Sequence, residues 1–262
     1  MPIAPSNGIE LCYETFGDSS APALLLVMGL GAQMTAWPDD CCRALADAGR
    51  FVIRFDNRDA GLSTKLDGVT VDLAAVMAAW AGNGEMPEVP YTLSDMANDA
   101  IGLLDYLGIA RAHIVGASLG GMIVQTMAIE HGDRVISLTS IMSTTGDPAT
   151  YQSVPEVRAA LLAPRPLDRD GFVAAGVEMS RMMGGRKYFN AERVAQTTGA
   201  AYDRSFYALQ DGRRYGMQRW VGSNSLMMMT AYPLHSVTLA NCGRNCLVRH
   251  KSKKQNPAPP KR

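Results

Sequence analysis

Residues 112–122 read Ala-His-Ile-Val-Gly-Ala-Ser-Leu-Gly-Gly-Met, and they decide the interpretation of the chain. Residues 113–115 predict a short β-strand, and residues 122–131 predict a helix that is apolar on nearly every side and therefore buried. Gly116-x-Ser118-x-Gly120 lies between the two. A serine on such a strand–turn–helix junction projects its hydroxyl from a strained turn, and Gly116 and Gly120 leave room where strand and helix cross. We therefore predict that Ser118 is a nucleophile. The alternative is an ordinary helix N-cap serine.

The segments on either side of this junction alternate between strand and helix patterns. The continuous apolar run at 23–28 predicts a central buried strand, and residues 51–55 and 135–142 predict two further strands. Residues 92–107 combine a capping-box start with an apolar stripe at helical spacing. Asn7-Gly8 predicts a hairpin turn. This alternation predicts the α/β class, with a mostly parallel, doubly wound sheet. We expect a core over residues 1–144 and a helical cap over residues 145–211, where several prolines interrupt short helical patterns.

The charge distribution sets the end of the chain apart. Residues 212–262 carry ten of the 25 Lys and Arg residues and none of the 25 acidic ones, although the formal net charge of the whole chain is zero. Such a division is unusual within one folded domain. We expect an atypical basic segment from 212 onward, truncated or read out of frame, with disordered last residues. The strand at 135–142 would then be an apolar sheet edge that promotes self-association.

Four stretches together resemble the α/β-hydrolase superfamily, and within it the esterase branch that includes aclacinomycin methylesterases and bacterial lipase/esterases. They are residues 27–31 (VMGLG), 54–63 (RFDNRDAGLS), 112–122 (AHIVGASLGGM) and 140–146 (SIMSTTG). The resemblance covers residues 2–207. It implies a carboxylic ester hydrolase of the serine type that forms an acyl-enzyme on Ser118. In this fold the oxyanion is held by two backbone amides, which here would be those of Leu30 and Leu119. The alternative for residues 29–31 is an ordinary turn after a strand.

The rest of the catalytic triad is the point where this sequence departs from the family pattern. In these enzymes the acid and the histidine follow later strands, in the order Ser, Asp, His. After residue 207 the expected strand–His–Gly–x–x–Asp stretch and the later Gly–His are absent. The remaining candidates are Asp147 as the acid and His235 as the base. The alternative function is therefore a crippled hydrolase that binds small apolar ligands without efficient turnover.

Other side chains receive structural interpretations. We expect His113 and His131 to be structural, and the carboxylates of residues 56–63 to belong to a structural loop. The cap is expected to shape an apolar pocket for small apolar esters. Its candidate lining residues are Met179, Met182, Met183, Tyr188 and Phe189, although for each one taken singly packing within the cap is the favoured interpretation.

Several function classes are disfavoured. Dehalogenases and epoxide hydrolases of this fold need Asp where Ser118 stands, whereas acyl transferases and carbon–carbon hydrolases keep the serine and stay open. We expect no metal, no organic cofactor, no nucleic-acid partner and no membrane span, because no apolar run reaches about 18 residues. No signal sequence is recognised at the start, so a cytoplasmic protein with five free thiols is expected.

Overall fold

The computed structural model describes residues 1–66, 89–145, 154–163, 165–184, 187 and 189–205. Within these ranges six strands form one mixed sheet in the order β1-β2-β4-β3-β5-β6. The strands are β1 (Ile3–Ser6), β2 (Ile9–Phe16), β3 (Ala23–Val27), β4 (Phe51–Phe55), β5 (Ala112–Ala117) and β6 (Val135–Ile141). β1, β2 and β4 pair in antiparallel fashion, and the β4–β3–β5–β6 part is parallel. The predicted α/β fold with a mostly parallel sheet is confirmed.

The hairpin that opens the chain forms where the sequence predicts it. Asn7 and Gly8 both have positive φ, 46° and 78°. A two-residue turn of this kind matches the twist of the strands it joins. Ser6 consequently pairs with Ile9 at the turn.

Helices cover both faces of the sheet. The helices in the described part of the chain are α1 (Asp39–Asp47), α2 (Leu93–Tyr106), α3 (Leu119–Glu130), α4 (Pro155–Leu162), α5 (Arg169–Met183) and α6 (Ala191–Ser205). Leu25, Ile53 and Ile114 point from the central strands into the larger core beneath α2 and α3. Leu24 and Val52 point the opposite way and pack with Cys42 of α1. Alternate residues thus enter two separate cores, which explains why β3 is apolar at every position.

Helix α2 has the start that its sequence predicts. The Thr92 hydroxyl accepts the backbone N–H of Asp95, and the Asp95 carboxylate accepts the backbone N–H of Thr92. This capping box satisfies two amide groups that a helix start leaves unpaired. Gly108, at φ 69°, follows the helix in the left-handed conformation that glycine adopts readily.

Three helices follow β6 in the described part of the chain. Helices α5 and α6 lie together, with the Phe172 and Tyr202 rings 5.5 Å apart and the exposed Arg169 paired with Asp203. The borders at 144 and 211 stay predictions, and the basic segment 212–262 lies outside the described residues. No helix in the described ranges is long and apolar enough to cross a membrane.

Candidate active site

Ser118 occupies a strained turn between β5 and α3. Its backbone has φ 55° and ψ −119°, a conformation that residues with a side chain rarely adopt. Its N–H donates to the carbonyl oxygen of Ile141 at 2.9 Å, and its own carbonyl oxygen accepts the N–H of Gly121 at 2.9 Å. The end of β6 and the first turn of α3 together hold Ser118 in this strained conformation.

Gly116 and Gly120 are the points of closest backbone approach at this turn. A Cβ added at Gly116 would lie 2.0 Å from the carbonyl oxygen of Gly120. One added at Gly120 would lie 2.2 Å from the carbonyl oxygen of Val27. These neighbours are backbone atoms, which cannot rotate away. Glycine at both positions is therefore a requirement of the strand–helix crossing.

The hydroxyl of Ser118 does not cap the helix that follows. Ser118 stands at the N-cap position of α3, yet its side chain makes no capping hydrogen bond. A capping serine normally has an extended backbone and accepts an N–H from the first helical turn. The structure therefore does not support the N-cap alternative. The residue is half-buried, so part of it stays open to solvent.

The loop between β3 and α1, residues 28–38, passes beside Ser118. A Cβ added at Gly29 would lie 3.0 Å from Ser118 Cβ and 3.5 Å from Ser118 Oγ. Leu30 comes next and packs its side chain on the main core. Within the described residues, the N–H groups of Leu30 and Leu119 donate no hydrogen bond. Two predicted oxyanion donors are thus uncommitted, one in the β3–α1 loop and one at the start of α3.

The segment after β4 supports that loop with side chains. Asn57 Nδ2 donates to the carbonyl oxygen of Met28 at 2.8 Å, and Asp56 Oδ1 accepts the N–H of Met34 at 2.7 Å. Asp56 has no exposed surface. Both roles are structural, as expected for this loop. Sequence reasoning did not anticipate which loop the two side chains would hold.

A second buried cluster lies in the same segment. Arg58 forms a two-pronged ion pair with Asp99, with both N–O distances 2.6 Å. Burial raises the pKa of Asp59, although the backbone N–H of Leu66 donates to its carboxylate. Burial also raises the pKa of the neighbouring Tyr91 well above its ordinary value, and the Asp59 carboxylate adds to the rise. These buried contacts fix the loop conformation.

The two histidines in the described ranges are engaged away from Ser118. His113 Nδ1 is 2.7 Å from the Ser137 hydroxyl, and burial followed by the nearby Arg50 lowers the pKa of its imidazole. His131 Nε2 is 2.9 Å from Asn98 Oδ1. Neither histidine forms a hydrogen bond with Ser118, which agrees with their structural interpretation.

The remaining predicted site residues are only partly described. Asp147, His235 and Tyr188 lie outside the described residues. Met179 is half-buried on α5, whereas Met182 and Met183 are exposed by 38% and 47%. Phe189 is half-buried, and the guanidinium of Arg181 lies 5.5 Å from the centre of its ring. Pocket lining by these side chains stays a prediction.

Comparison with known proteins gives the family. The sequence model of the alpha/beta hydrolase fold matches residues 22–220. The chain belongs to this family. The match spans the β3–α1 loop, the Ser118 turn and helices α4 to α6, so the strained serine described above stands on the framework of an α/β hydrolase.

Two curated relatives and one solved structure illustrate the likeness. The rhodomycin D methylesterase of Streptomyces sp. (strain C5) is 34% identical over 134 residues, which are 51% of this chain and 39% of that one. The 3-oxoadipate enol-lactonase 2 of Acinetobacter baylyi is 30% identical over 129 residues, 49% of this chain and 40% of its own. The crystal structure of the enol-lactonase from Burkholderia xenovorans LB400 superimposes with a TM-score of 0.58 at 25% identity, covering 89% of this chain and 75% of that chain. The matched segment is about two-fifths of the length of these curated relatives.

Proposed function

We propose that this α/β hydrolase is a serine esterase that cleaves small apolar carboxylic esters through an acyl-enzyme on Ser118. The observation that carries the proposal is the conformation of Ser118, with φ 55° and a side chain free of any capping bond. Proteins keep such strain where function depends on it, because it costs about 1–3 kcal/mol. The relatives agree with this chemistry, since methyl esters and enol-lactones are both carboxylic esters.

The proposed reaction follows from the groups around the serine. Ser118 Oγ attacks the ester carbonyl carbon and passes its proton to a base, for which His235, oriented by Asp147, is the candidate pair. The negative charge on the carbonyl oxygen is held by the N–H groups of Leu30 and Leu119. The alcohol leaves with the proton, and water then attacks the acyl-enzyme to release the acid and restore Ser118.

The test is hydrolysis of p-nitrophenyl butyrate by the full chain and by Ser118→Ala, together with labelling by a fluorophosphonate probe. We expect turnover and labelling that both disappear in Ser118→Ala. Ser94→Ala is the matched control, since its hydroxyl bonds Glu130 at 2.6 Å on an exposed helix face. Equal background rates in the wild-type chain and in Ser118→Ala would contradict the proposal.

The alternative is a crippled hydrolase that binds small apolar ligands. It is favoured by the engagement of both described histidines away from Ser118 and by the lack of acidic residues after Asp211. A hydrolase that lacks part of its triad still retains about 10³–10⁴-fold catalysis from its oxyanion donors and binding. Weak, Ser118-independent hydrolysis combined with ligand binding would select this alternative.

A further inference from the structure

Side chains from the segment after β4 hold the β3–α1 loop at two points, one on each side of Leu30. Asn57 bonds the carbonyl of Met28, just before the glycine beside Ser118, and Asp56 bonds the N–H of Met34. Leu30 lies between these two anchors. The direction of the Leu30 N–H therefore depends on where Asp56 and Asn57 are held.

Asp56 is a fully buried carboxylate that needs a compensating charge. Its Oδ2 accepts the N–H of Leu62 at 2.9 Å and a bond from Arg204 Nη2 at 2.8 Å. A buried carboxylate is costly unless it is paired and hydrogen-bonded. Arg54 and Arg58, the basic residues closest in sequence, form ion pairs with other carboxylates. Within the described residues the cation that pairs with Asp56 is thus Arg204, on helix α6.

The guanidinium of Arg204 also binds a side chain of the β3–α1 loop directly. Arg204 Nη1 donates to Gln33 Oε1 at 2.7 Å. Gln33 Nε2 in turn donates to the carbonyl oxygen of Ala201 at 2.6 Å and to the Ser205 hydroxyl at 2.7 Å, both in the last turn of α6. The Arg204 side chain is only 11% exposed, so these bonds form largely out of water. A planar guanidinium can hold two acceptors in fixed directions, which a lysine ammonium does not reproduce.

We propose that Arg204 is a positioning residue that fixes the β3–α1 loop from helix α6 and thereby aims the Leu30 N–H at the oxyanion formed on Ser118. The catalytic part of this inference rests on the proposed function, whereas the anchoring of the loop does not. Since a misplacement of about 1 Å can reduce turnover about 100-fold, the anchor links the position of α6 to the rate of the reaction.

Hydrogen exchange measured by mass spectrometry tests the anchor without requiring turnover. The variants are Arg204→Lys and Gln33→Ala, and the latter leaves the Arg204–Asp56 pair intact. The matched control is Asp203→Asn, which removes the exposed ion pair to Arg169 from the adjacent residue of the same helix. We expect peptides covering 29–36 to exchange about threefold faster or more in both variants and at the wild-type rate in the control. Unchanged exchange in the two folded variants would overturn the inference.

Kinetics with p-nitrophenyl butyrate test the catalytic consequence. We expect kcat to fall about 10- to 100-fold in both variants with KM within about twofold, because the Leu30 N–H serves the transition state more than the substrate. Affinity for a trifluoromethyl ketone, which binds as an oxyanion, should fall in parallel with kcat. The Asp203→Asn control should keep the wild-type kcat and the wild-type affinity for the ketone. Faster exchange with unchanged kcat would refute the catalytic role. If the two variants exchange faster but neither the wild-type chain nor any variant turns over the ester, the anchor is supported and the proposed function is refuted instead.

Discussion

Gly29 lies beside Ser118 with no room for a side chain between them: a Cβ added to Gly29 would lie 3.0 Å from Ser118 Cβ and 3.5 Å from Ser118 Oγ. The same position is 3.1 Å from the carbonyl oxygen of Ala117, so a methyl group there forces its neighbours to move by a few tenths of an ångström. The loop that carries the proposed donor Leu30 is therefore packed so close to Ser118 that an added methyl group must displace one or the other.

Gly29→Ala is expected to lower kcat about 10-fold or more on p-nitrophenyl butyrate, because small displacements at reacting groups have large effects on rate. KM should change less than kcat. The control is Gly132→Ala, where an added Cβ meets nothing within 4 Å. A Gly29→Ala protein with wild-type kcat would show that the loop and the serine tolerate displacement.

The elements that could be predicted from sequence are those set by residues close together in the chain. Asn7-Gly8 specifies its turn, the Thr92–Asp95 pair specifies the start of α2, and the close approach of Gly116 to Gly120 belongs to the tight turn at Ser118. Each relies on contacts within a few residues or on a regular strand or helix pattern. Local chemistry therefore gave the fold and the position of the proposed nucleophile.

Contacts between distant residues could not be predicted in the same way. Arg204 and Asp56 are separated by 148 positions, and no sequence pattern around either residue predicts that they pair. Gln33 likewise bonds Ser205 across 172 positions. Which polar side chains meet across a fold depends on how the helices pack on the sheet, and this packing cannot be predicted from local patterns in a single sequence. The Asp147–His235 pair has the same difficulty, so it stays a prediction.

Gly120→Ala is expected to destabilise the protein by about 2 kcal/mol or more, since the added Cβ would lie 2.2 Å from the Val27 carbonyl oxygen. The measurement is urea unfolding monitored by circular dichroism. Gly132→Ala again provides the comparison, with an expected change of about 0.5 kcal/mol or less. Equal midpoints for the two variants would mean that β3 and α3 can separate at little cost.

Ser118→Gly is expected to be more stable than Ser118→Ala by about 1 kcal/mol. Both variants lose the hydroxyl, but only glycine adopts φ 55° and ψ −119° without strain. The gain is reduced by the larger conformational freedom of glycine in the unfolded chain. Chemical unfolding of the two variants side by side gives the difference. If the alanine variant were the more stable of the two, the backbone conformation of residue 118 would not be strained.

Strand β6 is expected to mediate self-association. Within the described residues it pairs with β5 alone, and Ile136 and Ile141 are exposed by 38% and 42%. An apolar edge with unpaired backbone groups favours pairing with another chain. Sedimentation velocity should show a sedimentation coefficient that rises with concentration, and Ile136→Lys should reduce that rise. Ile3→Lys, the same change on the β1 edge where Ile3 is 41% exposed, is the control. A single monomeric species at every concentration would rule this out.

Asp59→Asn is expected to gain stability relative to the wild-type protein as the pH rises. Burial raises the pKa of Asp59 above its ordinary value of 3.8, so the folded protein holds this proton more tightly than the unfolded chain does. The stability that Asp59 contributes is therefore fully present below pH 3.8 and is lost as the pH rises through the folded-state pKa. Asparagine has no such titration, can still accept the N–H of Leu66, and tolerates φ 62°. Free energies of unfolding should be measured for both proteins at intervals from pH 3.5 to 8. They should diverge in favour of the variant between pH 3.8 and the folded-state pKa of Asp59, and differ by a constant amount above that pKa. A constant difference across the whole range would mean that the buried carboxyl titrates alike in the folded and unfolded chains.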